Sequence, residues 1–199
     1  AIIKYEREKT WSRDPIQLIY GIKMCVCADM NDKTEESLKT ESNVIIFIKN
    51  SAAYNDLIRI YNRSWTDGFY YQGRADWKLL KTYWTDNLSL ALPTYSSFIF
   101  KNALTFSNIV PDFPVAPVLF KEVDSGLPFA SIIDDVIDQF AADNRLDIQL
   151  IKSIYYEKPE DFDSYVTFRA IGNRSELSRP NVDHMSSDRF NFVDYLRLI

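Results

Sequence analysis

NSAAYNDLIRIYNRSWTDGFYYQGRADWKLL, residues 50–80, is the stretch on which the fold turns. Tyr54, Leu57, Ile58, Tyr61 and Trp65 recur at helical spacing, which predicts one apolar helix face. Ser51 stands where an N-cap belongs and Gly68 where the helix should stop. After the aromatic run Phe69, Tyr70 and Tyr71, a second short helix is expected over Asp76–Trp84, with Trp77, Leu80 and Trp84 inward.

Upstream, VIIFIK at residues 44–49 is a continuous apolar run, which suits a strand buried on both faces. Residues 29–42 are charged and nearly free of large apolar side chains, so they read as a loop. Residues 16–27 read as one or two short strands around Gly21, and residues 1–10 as the end of a helix. Downstream, residues 88–92 and 117–123 read as strands. They flank a stretch, 93–117, that has no clear period and is irregular around Pro111, Pro114 and Pro117. Residues 131–144 form a strong helix with Ile132, Ile133, Val136, Ile137 and Phe140 as its stripe, and Ser131 with Asp134 resembles a capping box. Residues 148–156 read as a strand. Pro159 opens a further helix at its first position, to be stopped by Gly172. Residues 173–188 are a polar loop, and residues 190–198 close the chain. Apolar strands alternating with helices predict a single α/β domain over 1–199 with a mainly parallel sheet or barrel.

Composition narrows the function classes. The chain has 199 residues, 46% of them hydrophobic, a net charge of −5 and a pI near 5.0. A surface that grips nucleic acid unaided is usually basic, so any DNA contact is expected to be indirect. No run approaches the roughly 18 apolar residues of a membrane span, and the N-terminus lacks a signal-peptide core. The first residue is Ala1, which reads as the start of an internal fragment. The only two cysteines, Cys25 and Cys27, are spaced for one strand face. They read as small buried hydrophobes in a reducing compartment, the cytoplasm, with a soft-metal site as the alternative.

Residues that could carry chemistry are few. The five glycines are too scattered for a phosphate loop. His184, the only histidine, lies in a polar loop with no nucleophile motif beside it. Acids cluster at Asp134, Asp135 and Asp138 and at Glu157, Glu160, Asp161 and Asp163, where first-turn acids and solvated helix faces compete with a carboxylate metal site. Phe69, Tyr70, Tyr71 and Arg74 could stack bases, but packing is the simpler use of them.

Residues 49–80 resemble a segment of the PHP (polymerase and histidinol phosphatase) domain of bacterial DNA polymerase III alpha subunits, whose pattern also runs KN, then a helix, then GFYY and a downstream D and LL. PIQLIYGIKMCV at 15–26 resembles an upstream strand of the same domain. Residues 126–141, 150–172 and 179–196 resemble its last helix, its NDVH strand with the following helix, and its exit. The order is collinear over about residues 15–197, with 93–115 the poorest match.

The resemblance implies a PHP-like distorted β/α barrel, incomplete on its N-terminal side. In active members, His, Asp, Glu and Cys bind metals there. The H-x-H and D-H pairs of the first two strands would precede Ala1. The aligned ligand positions hold Lys23, Asn43, Ser153 and Tyr155. The resemblance therefore implies a degenerate metal site with no catalytic residue and no cofactor. It implies a role in DNA replication as scaffold and docking surface. The implied partners are polymerase domains of the same protein or complex, with a proofreading exonuclease as a further candidate. Two alternatives stand beside it. One is a metal-dependent phosphoesterase or 3′-5′ exonuclease completed by missing N-terminal strands. The other is a free-standing module, of viral origin among the options, that binds a replication protein.

Overall fold

The computed structural model describes residues 19–105, 107, 109–174, 176–177 and 187–198. The helix expected over 1–10 and most of the polar loop at 173–188, with His184, lie outside the described residues. The chain is mixed α/β around a six-stranded sheet, the wall of a partial β/α barrel. Its strands are β1 (Gly21–Cys27), β2 (Ser42–Ile48), β3 (Arg74–Asp76), β4 (Leu88–Pro93), β5 (Val118–Glu122) and β6 (Ile148–Ile151). Its helices are α1 (Glu35–Leu38), α2 (Tyr54–Thr66), α3 (Trp77–Tyr83), α4 (Phe98–Thr105), α5 (Ala130–Asn144), α6 (Phe162–Asn173) and α7 (Phe192–Leu196).

The sheet order is β3-β1-β2-β4-β5-β6. β2 is antiparallel to both neighbours, while β1–β3, β4–β5 and β5–β6 are parallel. Five strands thus run one way and β2 alone runs back. β2 lies inside the sheet, but only its helix-side face is fully buried, at Val44 and Ile46; Ile45 and Phe47 on the other face are half-buried, so the expected burial on both faces holds for one. Among the described residues the edges of the sheet are β3 and β6, and β1 and β2 lie inside it.

One sheet face carries Val44 and Ile46 of β2 and Leu88, Leu90 and Leu92 of β4, and the helices pack on it. Phe98 of α4 meets Phe140 of α5 edge to face at 5.7 Å. Burying a side chain such as Leu57 or Ile60 contributes about 1.5–3 kcal/mol. The strands of parallel type need crossovers, and α4 and α5 supply them after β4 and β5.

Several local expectations are corrected. The buried face of α2 is Ala53, Leu57, Ile60 and Ser64, one residue out of phase with the predicted stripe. Tyr54 and Trp65 are instead 39% and 46% exposed, because tyrosine and tryptophan keep a polar end in water while isoleucine and leucine do not. Asn50, not Ser51, caps the entry, its side chain accepting from the Ala53 N–H. In the Asp76–Trp84 helix, Asp76 is the N-cap, accepting from Leu79 N–H at 2.7 Å. Leu79 and Leu80 are buried while Trp77 and Trp84 pack at its margin. The 29–42 loop contains α1, and the 93–117 connection contains α4.

No Ser131–Asp134 capping box forms. α5 starts after Phe129, which adopts a left-handed backbone with no side-chain cap. Gly172 does not stop α6, which runs on to Asn173 and ends at Arg174 in the left-handed region (φ 51°). The strand expected over 148–156 stops at Ile151, and Tyr156 makes an isolated parallel bridge to Asn191. Among the described residues no helix is long and apolar enough to cross a membrane.

Candidate functional site at the strand ends

With five strands co-directional, their C-terminal ends share one rim of the sheet. Alternation of side chains along a strand puts Lys23 and Cys25 of β1 on the face opposite the helices. In register, Cys25 stands beside Asn43 and Lys23 beside Ile45, so Lys23 and Asn43 share that face. Phe47 of β2 and Phe120 of β5 meet over the intervening strand at 5.9 Å, and they give this face an aromatic floor.

Asn43 begins the site. Its N–H donates to Ser96 O at 2.7 Å, which ties the start of β2 to the loop after β4. Its side chain lines a cavity of about 440 Å³ with Cys25, Glu41, Gln72, Tyr95 and Lys101. Burial pushes the Cys25 thiol up to about 12, helped by the Glu41 carboxylate, and the Cys27 thiol up to about 11. Both are protonated at neutral pH, so neither is a ready nucleophile. The cysteines are buried, as the sequence suggested.

Ser153 and Tyr155 sit past the end of β6, with β4 and β5 between β6 and β2 in the sheet. There the sequence reading missed the residue that organises the site, Glu122. This carboxylate closes β5 and is 5% exposed. Ser153 donates its N–H to one oxygen at 2.6 Å and its hydroxyl to the other at 2.7 Å. Burial raises the Glu122 pKa, and the Ser153 bonds and the Lys152 charge pull against that rise. Thr94 supports the strand end, accepting from Glu122 N–H at 3.2 Å and donating to Phe120 O. Tyr95 and Ser125 share a buried hydrogen bond of 3.1 Å close by. Tyr155 stacks on Tyr165 at 5.4 Å and meets Phe190 edge-on at 5.7 Å. An acid ending an apolar strand, as in VLFKE, was the available signal for Glu122.

The other candidates separate cleanly. Asp138 pairs with Lys121 at 2.8 Å, Asp135 is exposed, and Asp134 has one enclosed oxygen without a hydrogen-bond partner among the described residues. Glu157, Glu160, Asp161 and Asp163 are exposed, and Asp161 accepts from the Lys158 N–H at the head of α6. The aromatic run does not make a platform with Arg74. Phe69 and Tyr71 are 46% and 76% exposed, but Arg74 is fully buried. Its guanidinium donates to Ser37 Oγ and Asp32 O, each at 2.9 Å, lies 3.4 Å from Glu41 and sits 5.0 Å over the Tyr70 ring. A buried cation committed to these four partners is not available to phosphates.

A family model, the PHP domain, matches residues 2–112, more than half of the chain, and the chain belongs to that family. The matched segment holds β1–β4 and α1–α4, while Glu122, Ser153 and Tyr155 follow it. No curated protein matches the chain. The family implies a metal centre. Among the described residues no group of three or more His, Cys, Asp or Glu could hold a metal ion. The chemistry of the side chains agrees. An ammonium at Lys23, an amide at Asn43, a hydroxyl at Ser153 and a phenol at Tyr155 are not the imidazole and carboxylate donors that transition metals select. The described residues do not fit the metal.

Proposed function

We propose that this PHP domain is catalytically inactive and serves a DNA polymerase III alpha-like replicase as scaffold and protein-docking surface. Lys23, Asn43, Ser153 and Tyr155 are then degenerate ligand positions. The observation that carries this reading is the Glu122–Ser153 pair. The carboxylate at the strand ends spends both oxygens on one serine, inside the protein, at 2.6 and 2.7 Å. A carboxylate committed in this way stabilises a loop rather than binding a cation. The net charge of −5 supports a partner that is protein, with DNA contacted indirectly.

The test is metal analysis with activity on the same sample. The intact protein is incubated with Mn²⁺ and Zn²⁺, desalted, measured by inductively coupled plasma mass spectrometry and assayed with p-nitrophenyl phosphate. Substoichiometric metal and no hydrolysis are expected. Two or more bound transition metals per chain, with hydrolysis, would establish a phosphoesterase instead. Affinity purification of the tagged chain from its own host tests the docking role, with a replicative polymerase as the expected partner. Recovery of a sliding clamp or exonuclease without a polymerase would make it a free-standing module.

A further inference from the structure

Residues 32–42 cross the strand ends between two cavities. The first is the 440 Å³ cavity of Cys25 and Asn43. The second, about 560 Å³ and mainly apolar, is lined by Val26, Cys27, Trp77 and Phe98. Leu38 and Glu41 face the first and Lys39 and Thr40 the second, while Ser42, Lys101 and Leu104 line both. The segment is therefore the partition between them.

Its only helix, α1, has four residues, too few to persist alone. Two cations from other elements hold it. From β3, Arg74 binds Asp32 O, Ser37 Oγ and Glu41, and is itself fixed by Gly68 O at 3.4 Å. Gln72 adds a 2.8 Å bond to the second Glu41 oxygen. From α4, Lys101 Nζ donates to Lys39 O at 2.9 Å and to Glu41 O. The outer surface of the segment is largely exposed, with Ser37 and Ser42 its buried members.

We propose that residues 32–42 form a latched strap, whose release from Arg74 and Lys101 joins the two cavities into one cleft at the strand ends. The strap covers Cys25 and Cys27, which are 7% and 2% exposed and face one cavity each. They are the only cysteines in the chain, so thiol labelling reports strap opening directly.

The experiment measures DTNB labelling of the native chain and of Glu41→Gln, Lys101→Met and Arg74→Met, with hydrogen exchange recorded in parallel. Glu41→Gln takes the charge from the bonds to Arg74 and Gln72, and Lys101→Met removes the two bonds from Lys101 to Lys39 O and Glu41 O. Both thiols are expected to react at least about tenfold faster while exchange in β2 and β4 stays at the wild-type level. Arg74→Met empties a fully buried site and is the harsher variant; if it does not fold, the two rim variants carry the test. Thiols that react no faster in the rim variants, or only in step with exchange across the whole sheet, overturn the strap.

Discussion

Glu122 is held between opposing influences. Burial raises its pKa above the ordinary 4.5, and the two Ser153 bonds and Lys152 lower it, with the rise prevailing. An acid with a raised folded pKa contributes stability that is complete below its unfolded value and is lost as pH climbs through the folded one. Wild-type stability relative to Glu122→Gln should therefore fall as pH rises from about 4.5 towards neutrality. Urea unfolding of both proteins at a series of pH values measures this, and a pH-independent difference would show that the site does not titrate across folding. The glutamine keeps the shape and can still bond the Ser153 hydroxyl, which isolates the charge. The strand bearing Glu122 was legible in PVLFKEV, but the role of the acid was not. Its partner is 31 residues further on, and only the parallel register of β5 with β6 brings Ser153 to it. Arg74 escaped for the same reason: beside tyrosines it looks like a surface cation, and its partners Glu41, Ser37 and Asp32 lie 33 to 42 residues upstream.

Helices announced themselves more clearly than their ends or phases. The apolar band on α2 is wider than the core needs, and sequence cannot choose between a stripe through Tyr54, Tyr61 and Trp65 and one through Leu57 and Ile60. The tyrosine and tryptophan edges decide the matter by staying wet. Gly68 does mark the exit of α2, for a steric reason: a Cβ there would lie 1.9 Å from Arg74 O. Gly68→Ala must push α2 off β3, and a loss of about 2–3 kcal/mol is expected in thermal or urea unfolding. Gly172 is the converse. It lies inside α6 with nothing within 4 Å of an added Cβ, so Gly172→Ala should stabilise by about 0.5–1 kcal/mol through helix propensity alone. A neutral result would mean that α6 contributes nothing to the measured transition, and a loss would mean that the added methyl meets a neighbour in solution.

At the scale of the molecule, apolar surface is unevenly spread. On α6 only Ala170 is buried, whereas Phe168 and Ile171 are 75% and 73% exposed, and on the edge strand β6 Leu150 is 59% exposed. Apolar groups this exposed among the described residues are cheap to remove. Phe168→Ser and Ile171→Ser should leave stability within about 0.5 kcal/mol, read by differential scanning calorimetry. A larger loss would show that these side chains are covered in solution. The α/β class and the alternation of elements were legible because apolar strands and periodic helices are local signals. The reversed direction of β2 was not, because an apolar strand inside a sheet has the same composition whichever way it runs.

That single reversed strand has a consequence for how the chain is made. With β2 between β1 and β4, the first four strands complete a contiguous block by Pro93, and β5 and then β6 add in order at its one growing edge. Among the described strands, no later one has to be inserted between earlier ones. The sheet can assemble as the polypeptide emerges from the ribosome, each strand docking on a template already formed.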